Sequence, residues 1–162
     1  MARGNAARAS ENKIDISGRA GKNAFVKSLY DKAHEISRAA HAGQFRKDGK
    51  TPYFNHVEQV VAGVSDPDAK LVALLHDTVE DNRLSFDDLK KAGIPDHIID
   101  GVRAMTKPKG MNYHDYVRNV VMKNPLARMV KLADIKANLA DQPSDWQLAK
   151  YAKALDILNG VG

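Results

Sequence analysis

The sequence predicts an all-α fold, a single helical bundle of about eight helices. Three observations predict it. Apolar residues recur at intervals of three and four along most of the chain, the period of helices buried on one face. Capping residues punctuate the sequence at the spacing such helices need: Asp66 and Asn124, each followed by proline, and Ser85, Asn112 and Ser144. No stretch of useful length alternates apolar and polar residues with the period of two that a half-buried strand requires.

The 162 residues suffice for one domain with a real core. Hydrophobic residues make up 43% and aromatic residues only 6%, so the core is expected to be aliphatic. Without cysteine the chain has no disulfides or thiolate ligands, and any metal must be held by histidine nitrogen and carboxylate oxygen. No apolar run approaches the ~20 residues of a membrane span, and the N-terminus lacks the apolar core of a signal peptide. A soluble, cytoplasmic protein with no membrane partner is therefore expected. The net charge is +5, and residues 1–22 carry five basic against two acidic side chains. They are rich in Ala, Gly, Asn, Ser and Arg and have no apolar period, so they are expected to form a mobile basic arm. Residues 23–162 form the domain. Its small remaining charge does not suit a dedicated nucleic-acid binder but favours small anionic substrates.

The elements follow in order. From about Asn23, Phe25, Leu29, Ala33, Ile36 and Ala40 give a helical stripe that runs to His41 or Ala42, with Asn23 as its cap. His34 and His41 are expected at or near the surface. Gly43–Tyr53 is a loop, punctuated by Gly49 and Pro52, from which Arg46, Lys47 and Lys50 project. Val57, Val60, Val61 and Val64 mark the second helix, with His56 at its beginning. Asp66-Pro67 opens a central helix expected to reach about Asn82. Ser85 caps a short helix to about Lys91, and Pro95 opens another with Ile98, Ile99, Val102 and Met105 inward. Asn112 caps a helix from Tyr113 to about Met122. Asn124-Pro125 starts the longest late helix, with Leu126, Met129, Val130, Ala133 and Ala137 on its apolar face. Ser144 caps the last, on which Trp146 is expected to pack into the core.

The central helix carries the chemistry. Leu71-Val-Ala-Leu-Leu75 runs directly into His76-Asp77 and then Glu80-Asp81. Continued as a helix, it places Glu80 one turn beyond His76 and Asp81 one turn beyond Asp77. A His-Asp pair alone is a weak signal, and the chain supplies a control: His114-Asp115 stands in the polar first turn of a helix capped by Asn112. His76-Asp77 instead follows an apolar run. Asp134 likewise falls on an apolar helix face, where a carboxylate costs several kcal/mol unless paired or metal-bound. His56, His76, Asp77 and Asp134 thus offer two imidazoles and two carboxylates from three helices. This set suits Mn²⁺ or Fe²⁺, with Zn²⁺ as a further option. An ion there lowers the pKa of water and polarises a phosphoryl oxygen, with Glu80 or Asp81 placed to orient that water or take its proton. Arg46, Lys47 and Lys50 could hold phosphates or stack on a base. The competing readings are a core histidine satisfied by its neighbour, an Asp134–Lys131 ion pair and a solvated basic loop.

Three segments, Ala40-His-Ala-Gly-Gln-Phe-Arg46-Lys47-Asp-Gly-Lys-Thr-Pro52-Tyr53-Phe-Asn-His56, Leu74-Leu-His76-Asp77-Thr-Val-Glu80-Asp81 and Val130-Lys-Leu-Ala-Asp134, resemble in order the HD-superfamily hydrolase domain of the RelA/SpoT proteins. The stand-alone versions are the small alarmone hydrolases. The resemblance covers roughly residues 25–158. It implies a Mn²⁺-dependent hydrolase that removes the 3′-pyrophosphate of (p)ppGpp, guanosine tetra- or pentaphosphate. It makes His56, His76, Asp77 and Asp134 the metal ligands and Glu80 and Asp81 the water-activating pair. Arg46 and Lys47 face the base and phosphates, Asn138 contacts the nucleotide, and Lys107 of Thr106-Lys107 matches a lysine near a phosphate. Ile135 and Ala137 stand where the long bifunctional members carry Arg and His, and Val57 where a Pro is usual. These departures are expected to bear on which nucleotide is taken. The chain is too short for a synthetase domain. Two other readings remain: an HD phosphohydrolase acting on another nucleotide or on a phosphorylated cofactor such as NADPH, and a catalytically silent binding module. A homo-oligomer is compatible with all three.

Overall fold

The computed structural model describes residues 21–79 and 83–161. They form eight α-helices and one 3₁₀ turn, with no strand. The helices are α1 (Gly21–Ala40), α2 (Tyr53–Ala62), α3 (Pro67–Leu75), α4 (Phe86–Lys91), α5 (Asp96–Ala104), α6 (Tyr113–Asn119), α7 (Pro125–Leu139) and α8 (Asp145–Leu158); the 3₁₀ turn is Val121–Lys123. The expected arm lies almost wholly outside the described residues. α1 already begins at Gly21, so Asn23 sits within the helix rather than capping it.

α3 is the axis of the bundle. Leu71, Val72, Ala73, Leu74 and Leu75 are all buried, so this helix is apolar on every side and must be surrounded. α1, α2, α5 and α7 pack around it. The approach of α5 is close at Gly101, where a methyl group would stand 2.7 Å from Val72 Cγ2, so only glycine fits without displacement. Tyr116 is the one aromatic among the buried core residues; the rest of that core is aliphatic, as the composition requires.

The caps act as the local chemistry dictates. Asp66 Oδ1 accepts from Ala69 N at 3.0 Å, and Asn124 Oδ1 accepts from Ala127 N at 3.0 Å, each with a proline at the first helical position. Ser85 and Ser144 each close a reciprocal capping box. Asn112 accepts from both His114 N and Asp115 N, so the control His-Asp pair is indeed a capped first turn.

Four expectations need correction. The central helix ends at Leu75, not near Asn82; His76 is its C-cap and residues 76–79 form a turn. Thr78 closes that turn, its N–H and its hydroxyl both donating to Leu75 O, at 3.1 and 2.9 Å. Val120 breaks the helix that was expected to reach Met122, and 3₁₀ geometry replaces it. Trp146 does not pack in the core: it is 69% exposed, because the buried residues of α8 are Ala154, Ile157 and Leu158, in its last turns. His41 is buried, with Nδ1 2.6 Å from Gln44 Oε1.

Candidate active site

The turn that ends α3 is where the chain gathers its ionisable groups. Because α3 occupies the middle of the bundle, a residue just past its C-terminus is also central, and His76 is 1% exposed. α2 brings His56 from its first turn, and α7 brings Asp134 from its middle. Asp134 Oδ1 lies 2.9 Å from His56 Nε2 and 3.7 Å from His76 Nε2. Asp77 Oδ2 lies 3.0 Å from His76 Nε2. One ligand atom each from His56, His76 and Asp77 falls within a mutual span of 4.8 Å. The four side chains expected to meet from three segments therefore do meet, although His76 and Asp77 come from a turn rather than a helix.

The tautomer of His76 gives this cluster its chemical meaning. Its Nδ1 is 2.6 Å from the Ala73 carbonyl oxygen. A carbonyl can only accept, so Nδ1 carries the proton and Nε2 is left to face two carboxylates. Nε2 is buried and makes no hydrogen bond of good geometry. In the neutral ring that nitrogen aims a lone pair at two carboxylates, which is repulsive unless a proton or a metal cation intervenes. Burial lowers the His76 pKa, but the charge of Asp77 and the contacts with Asp134 outweigh it and raise it well above the usual histidine range. Burial likewise raises the Asp77 pKa, and the His76 charge outweighs it to bring the carboxyl to about 2. Asp134 is held well below the usual range despite burial, by His56, His76 and Lys131. The electrostatics thus demand positive charge among these atoms. Imidazole fixed through a backbone carbonyl is also how ligating histidines are oriented, so the residues fit a divalent ion.

Beside the cluster lies a cavity of about 230 Å³. Tyr53, His56, Asp77 and Asp134 line it. Lys107, Lys131 and Lys150, with Tyr113, Tyr151 and Asn138, also line it. Lys131 Nζ is 3.5 Å from Asp134 Oδ2 and 5.6 Å from the centre of the Tyr116 ring. Lys150 Nζ lies over Tyr113 at 4.2 Å. These aromatic faces hold ammonium groups at a partly desolvated wall. Burial, with Tyr151 and Asp134 nearby, pushes the Tyr113 phenol up. A cavity lined by an imidazole–carboxylate cluster together with three lysines suits a ligand with clustered phosphates.

The remaining expected residues are placed unevenly. Lys107 and Asn138 line the cavity. Arg46 stands one layer back: its Nη2 donates to Asp141 Oδ2 at 2.7 Å and to Asn138 Oδ1 at 3.2 Å. Lys47 is exposed and does not line the cavity; its Nζ donates to Gln142 O at 2.8 Å, strapping the loop to the α7–α8 corner. Lys50 is exposed. Glu80 and Asp81 lie outside the described residues. Ile135, Ala137 and Val57 do not line the cavity, against expectation. Ile135 and Val57 are in the core, and Ala137 borders a separate groove between α2 and α7. One helical step is about 100°, so Ile135 next to Asp134 faces elsewhere, whereas Lys131 and Asn138, about a turn before and after, share its side. Tyr53, Tyr113, Lys150 and Tyr151 carried no assigned role in the sequence. Tyr53 stood within the first motif, while nothing local marks a residue of α8 as site-facing.

No family model matches the chain. It is 36% identical over 121 residues to the guanosine-3′,5′-bis(diphosphate) 3′-pyrophosphohydrolase MESH1 of Drosophila melanogaster, covering 65% of this chain and 67% of that one. The human protein of the same name is 33% identical over 128 residues, covering 70% and 72% respectively. A GTP pyrophosphokinase of Streptomyces coelicolor is 32% identical over 120 residues, which span 67% of this chain but only 14% of that much longer one. A solved structure of a metazoan orthologue of SpoT, described as hydrolysing ppGpp and acting in starvation responses, superposes with a TM-score of 0.70. It has 29% sequence identity and covers 83% of this chain and 87% of its own.

Proposed function

The chain belongs to the family of small guanosine-3′,5′-bis(diphosphate) 3′-pyrophosphohydrolases, and on that premise we propose that it hydrolyses (p)ppGpp to GDP or GTP and pyrophosphate. The observation that carries the proposal is the meeting of His56, His76, Asp77 and Asp134 beside a lysine-lined cavity. In the reaction a water oxygen joins the phosphorus attached to the 3′-oxygen. The bond from that phosphorus to the 3′-oxygen breaks, and the 3′-oxygen leaves with a proton.

His56, His76, Asp77 and Asp134 are the residues to hold the ion, and the mixed nitrogen and oxygen set favours Mn²⁺. When bound, the ion supplies Lewis-acid polarisation of the phosphoryl oxygen and a water of lowered pKa. The chain supplies the rest. Lys107 lines the cavity, its Nζ donating to the Pro108 and Met111 carbonyls at 3.2 and 3.0 Å, and like the other lysines there it can neutralise phosphate oxygens. Asn138 presents an amide beside Asp134, with Nδ2 3.4 Å from its Oδ1. Arg46, one layer behind the cavity, and Lys47, on the exposed loop, are the residues proposed to meet the base and distal phosphates. Glu80 and Asp81 receive the proton of the attacking water, on the strength of the His-Asp-Thr-Val-Glu-Asp motif. No described helix is long and apolar enough to cross a membrane, which is compatible with the proposed cytoplasmic location.

The test is a nucleotide panel with Mn²⁺, Mg²⁺ or Zn²⁺, with the released phosphorus species followed by ³¹P NMR. GDP and pyrophosphate from ppGpp, fastest with Mn²⁺, is the expected result. Release of inorganic phosphate from another nucleotide or from NADPH, with ppGpp untouched, would overturn it. Glu80→Gln is expected to bind Mn²⁺ like the parent but to lose about 10²–10⁴-fold in turnover, the usual range for a general base. Metal titration and steady-state kinetics on the same preparation check both halves.

A further inference from the structure

We propose that Tyr53 is a positioning residue for the ion, fixing the Asp77 carboxylate in the orientation that a ligand needs. The inference rests on the metal reading above and adds a residue to which the sequence assigned no role.

The phenol hydroxyl of Tyr53 donates to Asp77 Oδ2. The same oxygen lies 3.0 Å from His76 Nε2. A carboxylate on a short side chain in a turn has two rotational freedoms, and His76 alone does not remove both. A hydroxyl donor on Oδ2 fixes the plane of the group. Tyr53 can do this because it is itself held by four neighbours. Its backbone N–H donates to Gln44 O at 2.8 Å. Its ring lies 4.9 Å from the ring of buried His41 and 5.4 Å from that of His56. The Arg46 guanidinium carbon stands 5.6 Å from the ring centre. A tyrosine hydroxyl carries its proton at neutral pH, so it can donate to the carboxylate.

The arrangement also accounts for a feature of the first motif. Tyr53 precedes His56 by three residues in the first turn of α2, so one turn of helix supplies both an imidazole and the hydroxyl that steadies the carboxylate across from it. The His41 ring, packed behind Tyr53, belongs to the same motif segment. This gives the segment a structural task at the ion that is separate from its basic loop.

Hydrogen-bond partners of metal ligands change affinity by about 10–100-fold when removed. Tyr53→Phe deletes one oxygen and keeps the ring. In the full chain it is expected to weaken the Mn²⁺ Kd by that factor, measured by competition with a chelator at fixed pH. The melting curve of the metal-free protein is expected to remain cooperative and to shift by only a few degrees, as for one lost hydrogen bond. A Kd within twofold of the parent's would overturn the proposal. So would a metal-free variant that has lost its fold, which would make Tyr53 a structural residue only. If the parent protein itself binds no Mn²⁺, the metal reading falls and this inference with it, an outcome distinct from the other two.

Discussion

Asp77→Ala is expected to abolish tight metal binding and to cost at least about 10³-fold in turnover, while the far-UV signature of the helices persists. An ion acting as a Lewis acid supplies several kcal/mol at the transition state, and about 4 kcal/mol corresponds to three orders of magnitude. Asp77 is the member of the cluster that the fold needs least. It lies in the turn after α3, is only half-buried, and touches His76 and Tyr53 rather than the core. Its loss leaves the His76 Nε2 with Asp134 at 3.7 Å and strands one phenol hydroxyl, a cost of about 1–3 kcal/mol. Calorimetric metal titration, circular dichroism and turnover on one sample check the claim. Metal affinity equal to the parent's would remove Asp77 from the ligand set.

Asp134→Ala is expected to fail differently, losing both the ion and the fold's margin of stability. Asp134 is 9% exposed and lies in the middle of α7. Its two oxygens serve His56, His76, Asn138 and the Lys131 ammonium. Removing a buried partner from such a set costs about 3–5 kcal/mol because the opposite charge stays behind. For a domain of this size that is a fall of roughly 10 °C in Tm. The Asp134 pKa is depressed, so its contribution is present above the ordinary carboxylate range and is lost as pH falls through the folded value. The variant's melting deficit should therefore shrink in acid. A Tm within about 2 °C of the parent's at neutral pH would show that Asp134 does not compensate buried charge.

Local physics made most of this architecture legible. The caps at Asp66, Ser85, Asn112, Asn124 and Ser144 depend on residues within three positions of one another, so they could be found without the fold. The buried faces of α5 and α7 followed from periodicity for the same reason. What escaped depends on distance. The end of α3 at Leu75 is set by a turn that Thr78 closes and that His76 leaves for the cluster, although the residues beyond Leu75 are compatible with more helix. Trp146 looked like a core residue because size and apolarity are local, whereas the position of the first turns of α8 past the edge of the bundle is not. The cluster of His56, His76, Asp77 and Asp134 was recoverable because each acid or imidazole sat beside an apolar run. Tyr113, Lys150 and Tyr151 sit on helices α6 and α8 that show no such conflict, and only the packing of those helices brings them to the cavity.

The strap from Arg46 to Asp141 has a thermodynamic corollary. The guanidinium is already neutralised at 2.7 Å by a carboxylate from a residue 95 positions away. Any phosphate that reaches it must displace that tethered competitor. A weakly charged analogue gains nothing by the exchange, whereas a polyanion does. Discrimination by charge would then be built into the chain itself, as an internal rival for the same arginine, whatever the shape of the cavity.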